Sequence, residues 1–92
     1  MKINDQVVLT SSCELRVFYY NNDPNFPNHE TEQPDVKSEY TIMGYVLENS
    51  NSMIREEKSD NLENYAYVIR HNISAELFRV DDKMLSENFR IL

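Results

Sequence analysis

Residues 39–48 read EYTIMGYVLE, and their pattern decides the fold class. One alternate set is Tyr40, Ile42, Gly44 and Val46; the other is Thr41, Met43, Tyr45 and Leu47. Both sets are largely apolar. A strand with one wet face would alternate apolar with polar, so this stretch predicts a strand covered on both sides.

Flanking segments carry the same signal more weakly. Asp5–Thr10 (DQVVLT) predicts a short strand with Val7 and Leu9 on one face, and Ser11–Ser12 a turn or bulge. Glu14–Tyr20 (ELRVFYY) sets Leu15, Val17 and Tyr19 against Glu14, Arg16, Phe18 and Tyr20, the alternation of a half-buried strand. Tyr65–Arg70 (YAYVIR) and Ser74–Val80 (SAELFRV) predict two strands joined by a tight connection at His71–Ile73. Asp81–Asp82 is positioned to cap one helical turn over Lys83–Glu87 with Met84 and Leu85 inward, and Phe89–Leu92 closes as a last strand.

Two segments lack any period. Residues 21–37 hold all three prolines and predict a long polar loop of about 17 residues, in which Phe26 between Pro24 and Pro27 is the one bulky apolar side chain. In residues 49–64, Ser52 could cap a short helix that places Arg55, Glu56 and Glu57 in its first turns; a strand end followed by a long turn is the alternative. The expected whole is a mainly β domain spanning 1–92: a small antiparallel twisted sheet or SH3-like barrel of five to six short strands, with one helical turn near the end.

Composition narrows the function classes. A chain of 92 residues makes one domain with a small core. It has a single cysteine, Cys13, so a disulfide framework is excluded and a reducing compartment fits. No long apolar run or leader pattern appears, which predicts a cytoplasmic protein without membrane association. One glycine, Gly44, leaves no phosphate-cradling loop. His29 and His71 stand far apart without metal-ligand spacing, and Cys13 has no cation cluster beside it to activate its thiol. Adjacent acids at Glu56–Glu57 and Asp81–Asp82 announce no catalytic cleft. No cofactor, metal or enzymatic activity is expected.

Charge is the remaining signal. The net charge is −7, and residues 23–63 carry ten acids against three bases, so the rest of the chain is neutral. Such a surface repels nucleic acid and anionic membranes and attracts basic partners. Duplex DNA carries about one charge per 1.7 Å, or about 18 over the roughly 30 Å width of a domain this size. A homodimer would double the count of carboxylates and lengthen the array.

Size, acidity, richness in asparagine (eleven residues) and tyrosine (six), and the absence of catalytic motifs together resemble the small phage-encoded DNA-mimic inhibitors. The likeness is greatest to the anti-restriction nuclease proteins of T-even phages, and it covers the whole chain without a shared motif. That resemblance implies a non-enzymatic inhibitor occupying the DNA-binding surface of a restriction nuclease or nucleoid protein. The phosphate-like acids assigned to it here are Glu30, Glu32, Asp35, Glu39, Glu56, Glu57, Asp60 and Glu63. The second reading is an adaptor or regulatory subunit that binds through a sheet edge or through the 21–37 loop and Phe26.

Overall fold

A computed structural model describes residues 1–19, 30–47, 53–54 and 65–92. The protein is mainly β. Its strands are β1 (Gln6–Leu9), β2 (Leu15–Val17), β3 (Thr31–Glu32), β4 (Glu39–Leu47), β5 (Met53–Ile54), β6 (Tyr65–His71), β7 (Leu77–Val80) and β8 (Phe89–Ile91), with one helix, α1 (Asp82–Asn88), before the last strand. The strands form one sheet in the order β3-β2-β7-β6-β4-β1-β8, and β5 pairs separately with β4. Every pairing is antiparallel. Among the described residues the path has β3 and β8 at its ends, an antiparallel mainly β sheet as expected, with one short helix near the C-terminus. None of its helices is long and apolar enough to cross a membrane, among the described residues.

The central strand is the longest, and β6 pairs along most of its length. Both of its faces are covered, but not in the simple alternation the sequence suggests. Ile42 lies opposite Ile69 and Gly44 opposite Val68, so Met43 is one residue too many on this strand. The bulge reverses the facing of everything after it. Tyr40 and Ile42 point into the main core, and after the bulge it is Tyr45 that does so, while Val46 joins a smaller cluster on the opposite face. The set Tyr40, Ile42, Gly44, Val46 is therefore split between the two faces.

The main core takes Val7 and Leu9 from β1, Leu15 and Val17 from β2, Tyr67 and Ile69 from β6, and Phe78 and Val80 from β7. Leu85 of α1 and Phe89 of β8 complete it. Strands at distant points of the path share this one cluster, so the sheet curls round it. The second face holds Phe18, Val46, Ala66 and Val68, with Met43 and Leu77 packed on them. Phe18, expected on the wet face of its strand, is buried there.

Tyr40 sits at the centre of the main core, edge-on to His71, Phe78 and Phe89 at ring separations of 5.1, 6.0 and 5.5 Å. Its hydroxyl is buried without a hydrogen-bond partner among the described residues. Burial pushes this phenol up to about 12; the nearby Ser38 hydroxyl acts the other way, but its own proton goes to the Asp35 carbonyl. An orphaned buried hydroxyl costs about 1–3 kcal/mol. Tyr40→Phe keeps the ring contacts and removes that cost, so urea unfolding should show a variant more stable by about 1 kcal/mol.

Several local expectations change. Thr31–Glu32, read as part of the 21–37 loop, pairs with β2 as an edge strand; two residues are too short to show a period, and the backbone pairing to Leu15 and Arg16 makes the strand. Residues 20–29, including Phe26, lie outside the described residues. Met53–Ile54 is not the start of a helix capped by Ser52. It pairs with Val46 and Tyr45, which is the strand-end alternative. The strand expected from Ser74 begins only at Leu77, because Ala75 has φ 65° and breaks extension. The final helix, capped by the Asp81 side chain accepting from the Met84 N–H, runs 7 residues rather than a single turn.

Candidate functional site

The pairing pattern brings acids that are far apart in sequence to one end of the sheet. The Val17 N–H donates to the Glu30 carbonyl at 2.8 Å, which places Glu30 beside the end of β2. The Phe18 N–H donates to the Leu77 carbonyl at 2.9 Å, so the start of β7 stands next in line. Glu76, just before β7, accepts the His71 N–H on its carbonyl at 2.8 Å. The Asn72 N–H in turn donates to the Glu39 carbonyl at 2.9 Å, where β4 begins. Glu30, Glu76 and Glu39 thus lie along one rim, and neighbouring strands there are about 4.8 Å apart. Glu32 sits two residues further along β3, opposite Leu15, on the same side of its strand as Glu30.

The electrostatics show how closely three of these groups approach. The Tyr19 hydroxyl donates to the Glu30 carboxylate. That bond, followed by desolvation and the charges of Glu30, Glu76 and Glu32, pushes the phenol up to about 12. The Glu76 carboxyl is raised above the ordinary value of 4.5, first by burial, then by its hydrogen bond with Glu32 and the charges of Glu32 and Glu30. Every charged group acting on Glu76 is another carboxylate. Among the described residues, the charges that raise Glu76 come from carboxylates, an arrangement suited to receiving guanidinium or ammonium groups.

Linkage gives this crowding a sign. Because the folded chain holds the Glu76 proton more tightly than the unfolded chain does, the unfolded state is deprotonated first. Stability then falls as pH rises from about 4.5 through the folded value, and stays at the lower level above it. Glu76→Gln should remove that decline and raise the melting temperature at neutral pH, as read by thermal unfolding at a series of pH values.

Of the eight acids assigned from the sequence, Glu30, Glu32, Asp35 and Glu39 are described, and all four are exposed. Glu30 and Glu32 come together, joined by Glu76. Asp35 lies in the turn before β4, its carbonyl accepting from the Ser38 N–H at 3.2 Å, and its charge reaches the Tyr40 hydroxyl together with that of Glu32. Glu39 is four strands from β3 along the path, at the same rim. Glu56, Glu57, Asp60 and Glu63 lie outside the described residues.

Glu76 was missed because it falls outside 23–63 and reads as one position of the Ser74–Val80 strand, in the same alternate set as Phe78 and Val80. The signal that could have found it is the hairpin itself: any tight turn between β6 and β7 returns Glu76 to the level where β4 begins.

The other sequence candidates have structural surroundings. Cys13 is half-buried against the main core, and burial raises its thiol. His71 Nδ1 accepts from two backbone N–H groups of its own hairpin. Among the described residues, no group of three or more His, Cys, Asp or Glu side chains is placed to hold a metal ion. Compared with known proteins, the chain matches no family model, no curated protein and no solved structure.

Proposed function

We propose that this chain is an acidic, non-enzymatic DNA-mimic protein. It inhibits a host DNA-binding protein, such as a restriction nuclease, by occupying the basic surface that takes DNA. The observation that carries the reading is the crowding of Glu30, Glu32 and Glu76 at one sheet edge, where the charges acting on Glu76 are all negative. Like charges are costly to assemble, so a rim of this kind is a stability liability unless something else uses it. Glu39 extends the rim, and Asp35, Glu56, Glu57, Asp60 and Glu63 supply the further acids the reading calls on.

Carboxylates facing lysines and arginines position the inhibitor as phosphates position DNA, and such contacts are screened by salt. The test is capture of a purified modification-dependent restriction nuclease on the immobilised protein, across a salt series and with competing duplex. Affinity should fall by about tenfold or more between roughly 50 and 200 mM salt, and duplex DNA should displace the nuclease. Capture that neither salt nor duplex alters would exclude the DNA-binding surface as the target.

A further inference from the structure

We propose that the tip of the β6–β7 hairpin is a proton-sensitive switch, with His71 Nδ1 as its sensor. The Ile73 N–H and the Ser74 N–H both donate to His71 Nδ1, each at 3.2 Å. An imidazole nitrogen accepts only when it carries no proton. The neutral ring therefore holds its proton on Nε2, and one acceptor serves two backbone donors. A proton arriving at Nδ1 turns that acceptor into a donor. Both N–H groups lose their partner in the same event, and the Nδ1–H must point away from the tip. Protonation and the closed tip exclude each other.

The tip has reasons to open once those bonds go. Ala75 is held at φ 65°, a left-handed conformation that is unfavourable for an L-residue with a Cβ. Ile73 at the apex is 92% exposed, so no packing holds it down. What remains is the Ala75 N–H on the His71 carbonyl at 2.9 Å, the Glu76 N–H on Ser74 Oγ at 3.3 Å, and the anchor at Asn72. That anchor is independent of the ring: Asn72 Nδ2 donates to Gln6 Oε1 at 2.8 Å, and Thr41 Oγ1 donates to Asn72 Oδ1 at 2.7 Å. Opening is thus confined to Ile73–Ala75, and the strands below stay paired.

The ionisable groups facing His71 come from three elements. Tyr40 of β4 presents its ring at 89° to the imidazole and carries no charge at neutral pH. Glu76 beside β7, and Glu39 of β4 and Arg70 on β6, each one position before Tyr40 and His71, flank the base of the hairpin. A variant without the imidazole separates the part played by the ring from that of these carboxylates. His71→Asn does this: its Oδ1 can take the same two N–H groups, as in an Asx-type turn, and it does not titrate.

The experiment is amide exchange and imidazole ¹⁵N spectroscopy of the whole chain from pH 7.5 to 5. After correction for intrinsic exchange, protection of Ile73 and Ser74 should fall by about tenfold as the ring gains its proton, the loss expected for hydrogen bonds of this strength. Asn72 and the β6 amides should hold their protection. His71→Asn should show no fall. Constant protection in the native chain, a proton on Nδ1 above neutrality, or an equal fall in His71→Asn would each overturn the proposal, the last by assigning the change to Glu39 and Glu76.

Discussion

Replacing Phe78 by alanine should lower the unfolding free energy by about 4 kcal/mol, the usual cost of emptying a fully packed phenylalanine site. Phe78 is 2% exposed and lies between Val17 of β2 and Ile69 of β6 in the sheet. It also packs edge-on against Tyr40 at 6.0 Å, and so ties the outer strands to the centre. The surrounding core is built from backbone-paired strands, which cannot close over a lost ring. Small domains are stable by only about 5–15 kcal/mol, so the variant should lose a large share of its folded population at moderate temperature. Urea titration followed by far-UV dichroism measures the midpoint, and an unchanged slope would show that the folded state is still reached. Ile73→Ala serves as the reference: that side chain is 92% exposed, and its removal should move the midpoint hardly at all. Equal losses at the two positions would mean that the main core does not hold the sheet together.

Much of this core is legible from the chain. Val7, Leu9, Leu15 and Val17 all lie on the period-two faces that the sequence marks, because segments 5–10 and 14–20 are long enough for alternation to show. What escapes is whatever depends on partners distant in sequence. The bulge at Met43 leaves both alternate sets of residues 39–48 apolar, so only the pairing with β6 reveals where the facing reverses. Strands of two residues, at Thr31–Glu32 and Met53–Ile54, exist because β2 and β4 offer free edges, and nothing in their own residues announces them. The acidic rim has the same origin. Counting charge along the chain finds Glu30 and Glu32 but passes over Glu76, which reaches them only through the order β3-β2-β7.

That order permits a matched test of the inhibitor reading. Glu32→Lys with Glu76→Lys changes the net charge from −7 to −3, and so does Asp5→Lys with Glu87→Lys away from the rim. A long-range attraction alone would weaken equally in both pairs, since it follows net charge. A rim seated against basic side chains would not: two lysines facing arginines add repulsion where attraction stood, and such juxtapositions cost several kcal/mol, so the rim pair should bind at least about a hundredfold more weakly than the control pair. Thermal unfolding of both pairs controls for stability, since Glu76 is raised first by burial and only then by the neighbouring Glu32 and Glu30. Leaving Glu30 in place also keeps its bond from Tyr19. Competition with labelled duplex for the nuclease gives both affinities on one scale. If the two pairs weaken alike, the carboxylates act only as bulk charge. If neither weakens while Phe26→Ala abolishes capture, the adaptor reading takes over, because a contact made by the Phe26 side chain owes nothing to the charge of the rim.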